Sequence, residues 1–226
     1  MITFKKVTKK FSEGTIALVD VDLTIESQDF VFIVGPSGAG KTTLLKLLIR
    51  EILPTKGKIL VENEDIVKIK KRKIPDLRRK IGVAFQDFKL LFDRTVFENI
   101  ALPLEILHEK NSQIESKVKK ILRMVGLKDK ADLFPIQLSG GEVQRTVIAR
   151  ALVGKPKVLF ADEPTGNLDL ETSWQIIDLL KQINKQDTTV IMATHNFSIV
   201  DSLKERVVRL DKGKVVSDEK KGKYKK

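Results

Sequence analysis

Five places in this chain carry residue types at spacings suited to phosphate chemistry. Gly35, Pro36, Ser37, Gly38, Ala39, Gly40, Lys41, Thr42 and Thr43 follow the apolar run Phe30–Val34 and precede Leu44, Leu45, Leu47 and Leu48, apolar at helical spacing. A strand, a Gly-x-x-x-x-Gly-Lys-Thr turn and a helix make the setting of a phosphate-binding loop. The glycines let successive N–H groups point inward at an anion, and the helix adds the positive end of its dipole. Lys41 reaches the β- and γ-phosphates as a mobile point charge, and Thr42 offers a hydroxyl to Mg²⁺. This pattern implies that the chain binds a nucleoside triphosphate.

Asp162 and Glu163 follow the buried-strand pattern Val158–Ala161, and open α/β sheets bind ligands at the carboxyl ends of their strands. There Asp162 would hold Mg²⁺ through its water shell and Glu163 would face the γ-phosphate and activate water; the plain alternative is a solvated acidic turn. Gln86 leaves the strand pattern 80–85, and Thr194-His195 leaves the strand pattern 189–193 on the same side. A glutamine so placed is either unremarkable or a ligand of Mg²⁺ or water, and a lone histidine is more often structural than catalytic. Ser139, Gly140 and Gly141 open a helix pattern running to Leu152, so Ser139 is either a helix cap or a donor to a second anion. Phe11, in a polar loop, either stacks on an adenine ring or tucks under the sheet. His108 reads as a surface histidine and Trp174 as packing.

The elements that must position these residues alternate along the chain. Residues 2–34 read as strands and turns, with the period-2 patterns of half-buried antiparallel pairs. The helix after the glycine-rich loop is expected to end near Leu53-Pro54. A turn at 55–58, a short strand at 59–61 and a lysine- and arginine-rich stretch at 62–80, interrupted by Pro75, come next. From Asp87 to about Gly154 the chain reads as helical, with Ile114, Val118, Ile121, Leu122 and Val125 forming a core stripe. The sequence thus divides into an α/β core (1–86 and 155–219), a helical subdomain (87–154) and a basic tail (220–226), the last expected to be disordered.

At 226 residues the chain suits one domain, with no cysteine and no apolar run of transmembrane length. Its start does not read as a signal peptide, which favours a cytosolic protein. The 42 lysines and arginines against 30 acids, a net charge of +12, suit either an anionic surface or merely solvated faces.

Together these motifs resemble an ABC-type ATPase domain over nearly the whole chain. In that resemblance Gly35–Thr42 is the Walker A loop, Gln86 the Q-loop, Leu138–Glu142 the family signature, and Val158–Glu163 Walker B with its catalytic glutamate. Gly166–Asp169 is the D-loop and His195 the switch histidine. The resemblance implies a RecA-like P-loop parallel sheet with an N-terminal antiparallel β element and a helical insertion subdomain. It implies ATP and Mg²⁺ as ligands, with Thr42, Gln86 and Asp162 arranging the metal, and Glu163, His195 and Lys41 as the catalytic set. It also gives Ser139 its second role, because two such domains pack head to tail and the signature of one, with Asp169 nearby, covers the ATP on the other. The adenine-stacking aromatic is commonly tyrosine in this family, where this chain has Phe11.

Gly166-Asn167-Leu168-Asp169 resembles the branch that includes lipoprotein-release, macrolide-export and cell-division ATPases. Within it the stretches 74–82, 85–91, 93–104 and 134–138 are most similar to the cell-division members. That similarity implies a homodimer with ATP, peripheral on the cytoplasmic face of the cell membrane and bound to an FtsX-like integral membrane protein. It implies an indirect link to peptidoglycan hydrolases. An ATPase subunit of a lipoprotein-release or macrolide-export transporter is the alternative. The +12 charge also suggests a soluble nucleic-acid-associated ABC protein, but those carry two cassettes or a long coiled-coil insertion and this chain has neither, so no nucleic acid is expected. A P-loop kinase would lack the Ser139-Gly140-Gly141 segment.

Overall fold

Every residue of Phe30–Val34 is apolar, so a strand built from them must be covered on both faces. In the computed structural model, which describes residues 1–222, it is. The chain begins with β1 (Ile2–Lys10), β2 (Ile16–Ile25) and β3 (Phe30–Val34), then α1 (Lys41–Leu48), β4 (Lys56–Val61) and β5 (Glu64–Asp65). Next come α2 (Ile74–Arg79), β6 (Ile81–Ala84), α3 (Val96–Ile106), α4 (Asn111–Met124) and α5 (Gly140–Leu152). The chain continues through β7 (Val158–Asp162), α6 (Leu170–Asn184), β8 (Thr189–Thr194), α7 (Phe197–Leu203), β9 (Arg206–Asp211) and β10 (Lys214–Glu219).

Two sheets result. One is antiparallel, in the order β2-β1-β4-β5; the other runs β10-β9-β3-β8-β7-β6, parallel except for the β9–β10 hairpin. Because successive strand side chains point to opposite faces, each central strand feeds two cores. Phe30, Phe32 and Val34 pack with α3 to α6, while Val31 and Ile33 pack with α1 and the antiparallel sheet. Strand β7 divides likewise, Leu159 and Ala161 to the first core and Val158 and Phe160 to the second. The α/β fold with a parallel sheet, an antiparallel β element and a helical part is therefore as expected. The stripe Ile114, Val118, Ile121, Leu122 and Val125 is core, and His108 is exposed.

Three local expectations need correction. The helix after the glycine-rich loop ends at Leu48, because Arg50 turns left-handed (φ 58°) and the Glu51 N–H returns to the Lys46 carbonyl at 2.8 Å. Its guanidinium then ties this turn to the Ile66 and Val67 carbonyls, each at 2.9 Å. Residues 87–95 are turns rather than helix; Thr95 starts α3 in a reciprocal capping box with Glu98. The basic tail begins less freely than expected. Gly222 is buried against Val207 and its N–H donates to the Glu205 carbonyl at 3.1 Å; residues 223–226 of that tail lie outside the described residues.

Candidate nucleotide-binding site

The loop between β3 and α1 is shaped by close backbone approach. Gly35 has φ 151°, and a Cβ there would lie 2.2 Å from the Leu210 carbonyl oxygen, so β9 leaves no room for a side chain. Gly40, the N-cap of α1, has φ 109°, and a Cβ on it would meet the Ala17 carbonyl oxygen at 2.7 Å. The start of β2 thus backs the loop on one side and β9 on the other. The N–H groups of the first turn of α1 have no acceptors within the helix and face the loop's hollow, a place for an anion. Lys41 is 9% exposed and its Nζ donates to the Gly35 carbonyl at 2.7 Å and the Pro36 carbonyl at 3.1 Å. Those bonds hold its ammonium across the mouth of the loop.

The carboxyl ends of three parallel strands open onto that hollow. Asp162 ends β7 nearly buried, and its Oδ2 accepts from the Thr42 hydroxyl at 3.2 Å. Burial pushes its carboxyl above the ordinary range, and the neighbouring charge of Glu163 adds to the effect against the opposing Thr42 bond. Glu163 sits in the left-handed region (φ 49°), which turns its side chain back toward the strand ends. Its carboxylate lies 2.9 Å from His195 Nδ1 and accepts from the His195 N–H at 3.4 Å. The imidazole is 67% exposed and the Glu163 side chain 9%, so the histidine lies over the acid at the surface.

A cleft of about 420 Å³ is lined by Ser37 through Thr43, Gln86, Asp162, Glu163 and His195. Gly35 and Pro36 lie behind it as the carbonyls that hold Lys41. Phe11 does not line this cleft; half-buried in the β1–β2 turn, it carries the Lys9 ammonium 5.1 Å from its ring centroid. Ser139, Gly140, Gly141 and Asp169 are also outside the cleft. Ser139 caps α5, its side chain accepting from the Glu142 N–H at 3.4 Å while its hydroxyl and its own N–H donate to the Glu142 carboxylate at 2.9 and 2.8 Å. Gly141 is packed so closely that a Cβ would lie 2.4 Å from the Thr172 methyl. Asp169 caps α6, accepting from the Thr172 N–H at 2.9 Å; bonds from the Thr172 hydroxyl and N–H hold its carboxyl below the usual range. Ser139, Gly140 and Asp169 are exposed. Ala17 and Leu210, whose carbonyls wall the glycine-rich loop, carry no signal in the sequence. No residue-type pattern marks a backbone carbonyl, so only the sheet pairing brings them into view.

Two oxygen donors of the cleft, the Thr42 hydroxyl and the Asp162 carboxylate, already lie within hydrogen-bond distance, and Gln86 adds an amide oxygen to the lining. Hard oxygen donors in small number suit a Mg²⁺ ion that keeps waters and phosphate oxygens for its remaining positions.

A sequence profile described as ABC transporter matches residues 18–166, the span from β2 through the glycine-rich loop to the Asp162-Glu163 strand end and its following loop. The cell division ATP-binding protein FtsE of Bacillus subtilis is 52% identical over 224 residues, covering 99% of this chain and 98% of that protein. FtsE of Escherichia coli is 47% identical, covering 94% of this chain and 96% of that protein. A dimeric post-hydrolysis structure of the ATP-binding cassette MJ0796 bound to ADP and Pi superposes with a TM-score of 0.89 at 34% identity, covering 99% of this chain and 100% of that one. The loop, the paired acids, the two-sheet architecture and these full-length similarities establish that this chain belongs to the ABC transporter family, as one of its ATP-binding cassettes.

Proposed function

We propose that the chain is the ATP-binding and hydrolysing subunit of an FtsE–FtsX-type cell-division complex, and that it uses Mg·ATP. The observation that carries the chemistry is the single cleft shared by the glycine-rich loop, Asp162, Glu163 and His195. The loop amides and Lys41 bind the phosphates, and phosphate oxygens replace the Gly35 and Pro36 carbonyls as partners of the Lys41 ammonium. Thr42, Gln86 and Asp162 would hold Mg²⁺, which when bound neutralises charge that develops on the β- and γ-phosphates. Glu163 accepts a proton from the attacking water, and His195 steadies the carboxylate it overlies.

Ser139 and Asp169 are exposed caps at the starts of α5 and α6, so a second copy of the chain can receive them. The dimeric state of the related cassette MJ0796 supports a two-fold pair in which each ATP lies between Lys41 of one copy and Ser139 of the other. ATP favours the closed pair because it touches both halves, and hydrolysis removes that preference. The apolar segment 88–92 after Gln86 would line a groove for a short helix of the membrane partner; of it Leu90 is core, while Leu91 and Phe92, 38% and 62% exposed, are free to make that contact. Through that contact the movement reaches an FtsX-like protein and, beyond the membrane, peptidoglycan hydrolases. The subunit then works peripherally on the cytoplasmic face of the cell membrane; among the described residues no helix is long and apolar enough to cross it. Residues 87–154 act in this reading as the unit that moves against the α/β core.

Mixing two inactive variants tests the shared sites. Lys41→Ala and Ser139→Arg homodimers are each expected to be inactive, while random mixing makes about half the dimers hybrid and restores up to roughly a quarter of full activity. Full activity in the Ser139→Arg homodimer would reduce Ser139 to a helix cap. For the partner, Leu91→Asp is expected to abolish co-purification with a four-span membrane protein while sparing ATP binding; loss of ATP binding and folding together would make the segment core.

A further inference from the structure

The turn that follows Gln86 is held from within, by the Phe88 N–H on the Phe85 carbonyl at 3.1 Å and the Lys89 N–H on the Asp87 carbonyl at 2.6 Å, and again from outside. Phe88 and Lys89 are consecutive non-glycine residues in the left-handed region, with φ 59° and 53°. L-residues avoid that region, so the turn gains from every bond that holds it there. Arg150, on the last turn of α5, supplies the hold from outside: its guanidinium donates from one nitrogen to the Phe88 carbonyl at 2.7 Å and from the other to the Lys89 carbonyl at 2.6 Å. The guanidinium is half-buried and among the described residues it forms no ion pair, so its charge is spent on two neutral carbonyls. The planar fork of arginine reaches two successive carbonyls at once, where an ammonium would reach one.

Two residues further on, the buried Asn99 of α3 repeats the device. Its amide oxygen accepts from the Leu91 N–H at 2.9 Å, and its NH₂ donates to the Leu91 carbonyl at 2.9 Å. Backbone from Phe88 to Leu91 is thus tied to α3 and α5, while Gln86 emerges from β6 into the cleft. Only Asp87 lies between the tied segment and Gln86. Eleven residues separate Arg150 from the cap Ser139, about 16 Å along one rigid helix.

We propose that Arg150 is a positioning residue for Gln86: its grip on the Phe88 and Lys89 carbonyls fixes the turn after Gln86 to α5. The direction of Gln86 in the cleft then follows the tilt of the helix that carries Ser139. A change in what Ser139 touches reaches Gln86 through α5 and two hydrogen bonds. The inference rests on the nucleotide-hydrolysis reading of the cleft for its consequence, though not for the anchor itself.

Arg150→Gln and Arg150→Lys in the purified chain test it, with backbone hydrogen exchange across 85–92 and ATPase kinetics per nucleotide-binding site. In Arg150→Gln the amides of that segment are expected to exchange about ten-fold faster, with those of α6 unchanged. Its kcat is expected to fall about ten-fold while the KM for ATP stays within about two-fold, since geometry and not binding is lost. Arg150→Lys is expected to fall between this variant and the unaltered chain in both readouts, and it carries the test alone if Arg150→Gln does not fold. Unchanged exchange in the segment overturns the anchor. Faster exchange with unchanged kcat overturns the role in positioning Gln86. If the unaltered chain binds no ATP, the reading of the cleft fails, and the exchange comparison still decides the anchor.

Discussion

Glu163→Gln separates the cleft's two tasks. The amide is nearly isosteric with the carboxylate, so its oxygen can still accept from the His195 N–H, which lies 3.4 Å from the acid, and the left-handed backbone at 163 is unaltered. What disappears, in the proposed mechanism, is the proton acceptor. Loss of a general base costs about 10²- to 10⁴-fold in rate, or about 3–5 kcal/mol of barrier at about 1.4 kcal/mol per decade. The phosphate cradle is untouched, because Lys41 and the first turn of α1 owe nothing to Glu163. Removing one of two adjacent negative charges should strengthen binding of the polyanion, and it relieves the repulsion that helps hold the Asp162 carboxyl above its ordinary range, where burial is the larger cause. Single-turnover phosphate release, measured beside ATP binding and elution on a sizing column, gives all the quantities needed. The expected result is ATP-dependent dimers that persist with hydrolysis down at least about a hundredfold. Turnover within about five-fold of the unaltered chain would refute Glu163 as the base, since no isosteric amide can replace it in proton transfer.

Two further perturbations test the electrostatics. Because burial raises the Asp162 pKa above its ordinary 3.8, its ionised form costs stability; the favourable contribution exists below that value and is lost as pH rises through the folded-state pKa. Asp162→Asn should therefore raise the melting temperature of the nucleotide-free chain at pH 7, lose that gain below pH 3.8, and abolish hydrolysis. The opposite case is Glu62, whose carboxylate accepts from Lys157 and Lys80 and whose pKa those bonds, Lys157 first, bring down to about 2 from 4.5. Its contribution is present above 4.5 and lost as pH falls toward 2. A fully felt shift of that size would be worth about 3 kcal/mol, but with the side chain 32% exposed solvent screening leaves about 1 kcal/mol. Glu62→Gln should then lower the melting temperature at pH 7 by about 2–4 °C, a difference that fades under acid.

The sequence by itself determined the local units of this protein. Apolar runs such as Phe30–Val34 must be buried, and one this short and β-branched, bounded by polar residues and a glycine turn, suits a strand covered on both faces; the glycine-rich loop between such a run and a helical pattern has only one common use. The positions of Gln86, Asp162, Glu163 and His195 at strand ends were legible for the same reason, since an abrupt change from apolar to polar marks where a buried strand stops. Turn geometry was less legible: nothing in Arg50 announces that it will turn left-handed and end α1 at Leu48, because that depends on the Ile66 and Val67 carbonyls its guanidinium meets. Only the tertiary structure decided which strand lies beside which, and so which of those ends share a cleft. Strand order follows from long-range pairing of β3 with β8 and β9, contacts between residues more than 150 positions apart that no local pattern encodes. The β3–β9 pairing puts the Leu210 carbonyl against Gly35, and the β6–β7 pairing brings α5, which leads into β7, beside the turn after Gln86. Hydrogen bonds such as those from Arg150 depend on where two distant backbones come to rest, and an arginine within a helical pattern gives no sign of what it will reach.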